Sequence, residues 1–167
     1  QTFAERVKEL GLPLDQIIII GSGILDQLGI RKAADVDLVA SDEVLEKIAS
    51  DPDWAEQCDK NQRRYFVSND GSAEIWDGWE FDGQVLNYED LLNLSVEYDG
   101  VKFVGLDFLR QWKNWRGREK DIQDVRLIDE YLKSTDVAAV LEQCAPEINR
   151  YIANVFEEFQ ADLANVS

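Results

Sequence analysis

Two hydrophobic periods take turns along the chain. Phe3, Val7 and Leu10 fall at helical spacing and predict a first amphipathic helix over 2–10. Gly11 and Pro13 are its stop signals. Ile17-Ile18-Ile19-Ile20 breaks that period. The run is β-branched, short and free of alternation, which predicts a strand buried on both faces. It stops at Gly21-Ser22-Gly23. Ile24, Leu25 and Leu28 then predict a helix capped by Ser22, with Gly29 at its end. Residues 35–40 predict a second strand, and their spacing of two puts Asp35 and Asp37 on one face of it. Ser41, Asp42 and Glu43 open a helix whose inner face is Val44, Leu45 and Ile48.

The next stretch, 51–62, is polar and holds one proline, so a short helix or loop is expected. Residues 64–68 and 73–79 flank Asn69-Asp70-Gly71, a hairpin signal. Phe81-Asp82-Gly83 is read as a break, and 88–94 as a short helix. A second hairpin, 96–98 with 101–104, turns at Asp99-Gly100. Residues 106–115 and 119–133 are helical in period, separated by Gly117. The second of these carries an apolar stripe of Ile122, Val125, Ile128 and Leu132. Thr135 or Asp136 is placed to cap a helix to about Gln143, and Pro146 to open a last one past Phe159. This order predicts an α+β fold: a mixed β-sheet flanked by helices, with a helical C-terminal extension over 133–167, all in one domain, 1–167.

Charge narrows the function. The chain carries 34 acidic against 17 basic side chains, a net −17. That field argues against general nucleic-acid binding. It does not argue against a single nucleotide escorted by a divalent cation, and it also serves plain solubility. Histidine is absent, which removes Ser-His-Asp and Cys-His catalysis and most zinc sites. Chemistry here must rest on carboxylates, lysines, backbone amides and a hard metal. Cys58 and Cys144 are far apart in sequence and read as reduced, partly buried thiols of a cytoplasmic protein. No apolar run approaches the ~20 residues of a membrane span.

Two motifs carry candidate chemistry. Gly21-Ser22-Gly23 after a buried strand offers exposed amides to an anion; the same residues also make an ordinary strand-to-helix turn. It is neither a Walker loop nor a dinucleotide fingerprint, because Asp26 stands where the third glycine would be. Asp35-Val36-Asp37 places two carboxylates where a cation or water must relieve their repulsion. Oxygen ligands of this kind suit Mg²⁺ or Mn²⁺; two solvated acids on an edge strand would look the same in sequence.

Together these residues resemble the signature of the nucleotidyltransferase superfamily, the polymerase-β-like fold: a Gly-Ser turn, a helix, then acid-x-acid, here Gly21-Ser22 and Asp35-x-Asp37. Trp112-Lys113 and Gly117-Arg118-x-Lys120-Asp121-x-x-Asp124 are similar to a later block of its small bacterial members. The resemblance spans roughly 17–132. It implies a nucleotidyltransferase core in which Gly21 and Ser22 bind the phosphates of a nucleoside triphosphate. Asp35 and Asp37 would ligate Mg²⁺ (or Mn²⁺), and a third catalytic carboxylate would come from the 73–79 strand. Glu74 best matches that place, with Asp77 as the fallback; the family more often has Asp there. Lys113, Arg118 and Lys120 are candidate nucleotide-binding cations, or else simply pair with Glu119, Asp121 and Asp124. Trp76, Trp79, Trp112 and Trp115 are candidates for base stacking or for the core. The implied activity is transfer of a nucleoside monophosphate to a hydroxyl on a small molecule or protein. The alternative is an inactive relative that binds a nucleotide or a partner protein, as in a toxin–antitoxin pair.

Overall fold

The computed structural model describes residues 1–136 and Glu157. The helices expected over 137–143 and beyond Pro146, and Cys144, lie outside the described residues. Contacts gather the chain into two compact units, 1–128 and 129–167. In the second unit, residues 129–136 are helical. Thr135 does not start a new helix there: its hydroxyl donates back to the Tyr131 carbonyl at 2.9 Å.

The first unit is α+β, built on a mixed seven-stranded sheet. Helix α1 (Phe3–Glu9) starts from a capping box made by Thr2 and Glu5 and buries Phe3, Ala4 and Val7. A short 3₁₀ turn (Leu14–Gln16) leads into β1 (Ile17–Ile19). Then come α2 (Gly23–Gln27), β2 (Val36–Ala40), α3 (Asp42–Ile48), β3 (Trp54–Cys58), β4 (Arg64–Ser68), β5 (Ala73–Trp76), β6 (Gly78–Phe81) and β7 (Gln84–Asn87). Helix α4 (Tyr88–Leu92), β8 (Ser95–Tyr98), β9 (Val101–Val104), α5 (Leu106–Arg116) and the helical residues 119–128 (α6) complete it.

The sheet order is β3-β4-β5-β2-β1-β9-β8. Strand β1 lies near the middle, antiparallel to β2 and parallel to β9, and its isoleucines are buried as the unbroken apolar run requires. Strands β2 and β5 are parallel neighbours. Phe3, Ile24 and Leu25 pack with this central strand as fully buried side chains. Gly23 permits that closeness: a Cβ there would fall 2.5 Å from Ile19 Cγ2 and 2.7 Å from the Phe3 ring.

Several expectations are corrected. The 51–62 stretch contains a strand, β3, rather than a helix or loop; it forms the sheet edge and is mostly exposed, so it lacks an apolar face. The expected 73–79 strand ends at Trp76, and Gly78 begins a separate two-stranded hairpin, β6–β7. Asp82-Gly83 is the turn of that hairpin, both residues at positive φ. On α6 the buried positions are Asp121, Asp124 and Ile128, while Ile122 is 47% exposed. The helix therefore turns two aspartates inward together with Ile128, while Ile122 of the expected stripe faces outward. Cys58 is exposed, not partly buried.

Candidate active site

A cleft of about 650 Å³ opens within the first unit. Its centre is the meeting of the Gly-Ser bend with β2. Gly21 takes φ +64°, a left-handed conformation that suits glycine. A Cβ on it would stand 3.5 Å from Asp37 Oδ2. The backbone ties the two segments: Ile20 N–H donates to the Asp37 carbonyl at 2.9 Å. Bend and carboxylate thus share one side of the sheet.

Glu74 stands directly opposite Asp37 in the parallel β2–β5 register, and both line the cleft. Trp76 Nε1 donates to Glu74 Oε2 at 3.2 Å, and the Trp76 ring is itself stacked on Tyr65, centroids 4.2 Å apart. Burial, then the charges of Glu74 and Asp35, push the Asp37 carboxyl up to about 6, with Lys120 opposing. Asp35 precedes β2, at a bend, is exposed and does not line the cleft. It therefore reaches Asp37 as a charge and not as a second strand residue. Asp77 is turned away: it pairs with Arg63 Nη2 at 2.8 Å and does not line the cleft.

The cations gather here. Among the described residues seven of the chain's 17 Lys and Arg line the cleft, against three acids, Asp37, Glu74 and Glu80. One of them, Arg63, pairs with Asp77; the other six fall into two sets. Arg31, Lys113 and Arg118 are held by the inward aspartates of α6. Asp124 receives Arg31 Nε and Nη2 at 2.6 Å each and Lys113 Nζ at 2.7 Å. Asp121 receives Arg118 Nε at 2.6 Å and Lys113 Nζ at 3.5 Å. Burial alone would raise both carboxyls; the hydrogen bonds and charges of these cations outweigh it and hold them below the ordinary range. Lys113, only 3% exposed, is therefore a buried cation with two buried counter-charges, not a loose surface pair. Glu119 stays exposed. The second set, Lys60, Arg116 and Lys120, is exposed and makes no ion pair with a described acid.

Ser22 joins the bend to the first set. Its hydroxyl accepts from Arg31 Nη2 at 2.8 Å and from Lys113 Nζ at 3.3 Å. It makes no side-chain cap on α2, contrary to expectation. Helix α2 is five residues long, so the positive potential at the bend comes from these two cations more than from aligned peptides. Arg31 was not among the candidates read from the sequence: it stands beside Lys32 between α2 and β2, and no local motif includes it.

The tryptophans divide. Trp79 is buried and stacks on Trp112 at 4.5 Å, and Trp112 Nε1 donates to the Glu80 carbonyl at 2.9 Å. Trp115 is 39% exposed, and all four, Trp76, Trp79, Trp112 and Trp115, line the cleft.

Mg²⁺ fits these donors in one way. Among the described residues no three Asp, Glu, His or Cys side chains gather as a complete ligand set. Asp37 and Glu74 supply two register-paired carboxylates, and Mg²⁺ commonly takes one or two carboxylates with substrate phosphates and water as the rest.

No protein-family model and no curated protein matches the chain. Among solved structures, the solution structure of antibiotic-resistance factor ANT(2'')-Ia is similar at TM-score 0.44 and 17% identity, covering 95% of this chain and 94% of that one. A likeness this low shows neither a shared family nor a shared activity. No helix among the described residues is long and apolar enough to cross a membrane.

Proposed function

We propose that the chain is a nucleotidyltransferase that binds a nucleoside triphosphate with Mg²⁺ (or Mn²⁺) and transfers the nucleoside monophosphate to a hydroxyl acceptor. The observation that carries this reading is the join of Gly21-Ser22 to Asp37 and Glu74 in a cation-lined cleft of a chain with net charge −17. A local excess of cations in so acidic a protein points to a small polyanion.

The phosphate tail would lie against the Gly21 backbone and Ser22, within reach of Arg31 and Lys113. Arg118 and Lys120, also on the cleft wall, would offset its remaining charge. Asp37 and Glu74 would hold the ion, with Asp35 adding charge from outside; bound there, the ion neutralises charge on the phosphates. In the transfer the acceptor oxygen bonds to the α-phosphorus, the bond to the bridging oxygen of the β-phosphate breaks, and pyrophosphate leaves with that electron pair. The hydroxyl proton passes to Glu74, which Trp76 holds toward the cleft.

A second reading, an inactive protein that binds the nucleotide or a partner protein, is favoured by the absence of a complete acid triad among the described residues. Pyrophosphate release in the presence of a mixed acceptor extract separates the two. Release that disappears in the Asp35→Ala, Asp37→Ala double variant supports transfer. Triphosphate binding without release supports the second reading, and release retained in the double variant refutes the acid site.

A further inference from the structure

Of the four tryptophans on the cleft wall, three are already engaged. Trp76 is stacked on Tyr65 with the planes 10° apart, the Arg63 guanidinium stands 5.4 Å from its ring centroid, and its N–H is on Glu74. Trp112 is stacked on Trp79 and donates its N–H to the Glu80 carbonyl. Lys113 Nζ and the Arg118 guanidinium lie 5.9 and 6.0 Å from the same ring centroid. Trp79 is buried, in contact with Trp112 and Phe108. Trp115 differs. Among the described residues its ring meets one other, Phe81 at 5.4 Å, and the planes are tilted by 49°. Neither face of the indole is stacked, and the side chain is exposed.

Lys113, two residues earlier on α5, reaches the Ser22 hydroxyl at 3.3 Å. One helix thus brings a cation of the phosphate end and an unstacked indole to the same cleft. A free aromatic face beside a bound triphosphate suits the one flat ring that every such ligand carries, its base. Neutral groups that could read the edge of a base are sparse. Among the described residues Asn61 supplies the one side-chain amide on the cleft wall, from the turn between β3 and β4. Recognition through the ring face discriminates by stacking strength, which favours the larger purine over a pyrimidine.

We propose that Trp115 is the base-binding residue of the cleft: its indole stacks on the nucleobase of the bound triphosphate, and purines are preferred. This rests on the nucleotidyltransferase reading. The test is calorimetric titration, with Mg²⁺ present, of ATP, GTP, CTP, UTP and inorganic tripolyphosphate, which has no base. In the wild type ATP and GTP are expected to bind more tightly than CTP and UTP. Trp115→Ala is expected to weaken ATP and GTP about tenfold and to leave tripolyphosphate unchanged. Trp115→Phe keeps an aromatic face and should recover most of the loss. Unchanged tripolyphosphate binding also shows that the alanine variant is folded at the phosphate end. The proposal is overturned if Trp115→Ala binds ATP and GTP as the wild type does, if it weakens tripolyphosphate equally, or if CTP and UTP bind the wild type at least as tightly as the purines. Failure of all five ligands to bind the wild type instead refutes the nucleotidyltransferase reading itself, so the two failures are told apart.

Discussion

Asp37 and Glu74 occupy one register pair of two parallel strands, and the price of that closeness falls on Asp37. Burial first, and then the neighbouring acid charges, raise its carboxyl to about 6. A carboxyl raised in the folded state stabilises the fold when protonated, below its ordinary value. That contribution is lost as pH rises through the folded value. Between pH 5 and 7.5 it amounts to about 1–1.5 kcal/mol. Urea unfolding at the two pH values is expected to show this loss in the wild type and not in Asp37→Asn. The variant should be the more stable protein at pH 7.5, while losing activity.

The aspartates of α6 titrate the other way. Asp121 and Asp124 are held below the ordinary carboxyl range, so their contribution is present above that range and lost as pH falls through their folded values. Acid unfolding is expected below about pH 4. Lys113→Met leaves both carboxylates with one cation fewer and is expected to cost about 3–5 kcal/mol in urea. A cost under about 1 kcal/mol, the range of a surface pair, would contradict the buried network.

Ser22→Ala removes an acceptor for Arg31 and Lys113 but no helix cap. Its melting temperature should therefore move little, while triphosphate affinity falls about tenfold, the effect of roughly one hydrogen bond to a charged group. Gly21→Ala combines a strained φ with a methyl facing Asp37. It should cost about 1 kcal/mol of stability and weaken the triphosphate further. Calorimetric titration measures both affinities.

Trp76→Phe keeps an aromatic ring against Tyr65 and deletes the donor to Glu74. If the indole positions the base, kcat falls while KM for the triphosphate holds. A rise in KM with kcat intact would place Trp76 in nucleotide binding instead.

Much of the central sheet was legible in the sequence because its signals are local. The isoleucine run could hardly be anything but an inner strand, and alternation around Glu74 marked its place on a strand. That Glu74 would face Asp37 depended on strand order, which periodicity does not carry. The β3 edge was missed because an exposed strand has no apolar face to display. The inward face of α6 was misread in part for the opposite reason: hydrophobic periodicity finds Ile128 but not Asp121 and Asp124, which are neutralised by Lys113 and Arg31 from elsewhere in the chain and by Arg118 just before the helix. Arg31 entered the site through the same long-range pairing.

The most direct test is a thermal-shift panel of the four nucleoside triphosphates, each with and without Mg²⁺. At about a hundredfold excess over Kd, a bound ligand adds about 2.7 kcal/mol. At least one triphosphate is expected to raise the melting temperature by several degrees with Mg²⁺, by much less without it, and not at all in Asp37→Ala, Glu74→Ala. No shift with any triphosphate, or an equal shift in the double variant, would contradict a phosphate-and-metal site at the Gly21–Asp37 junction.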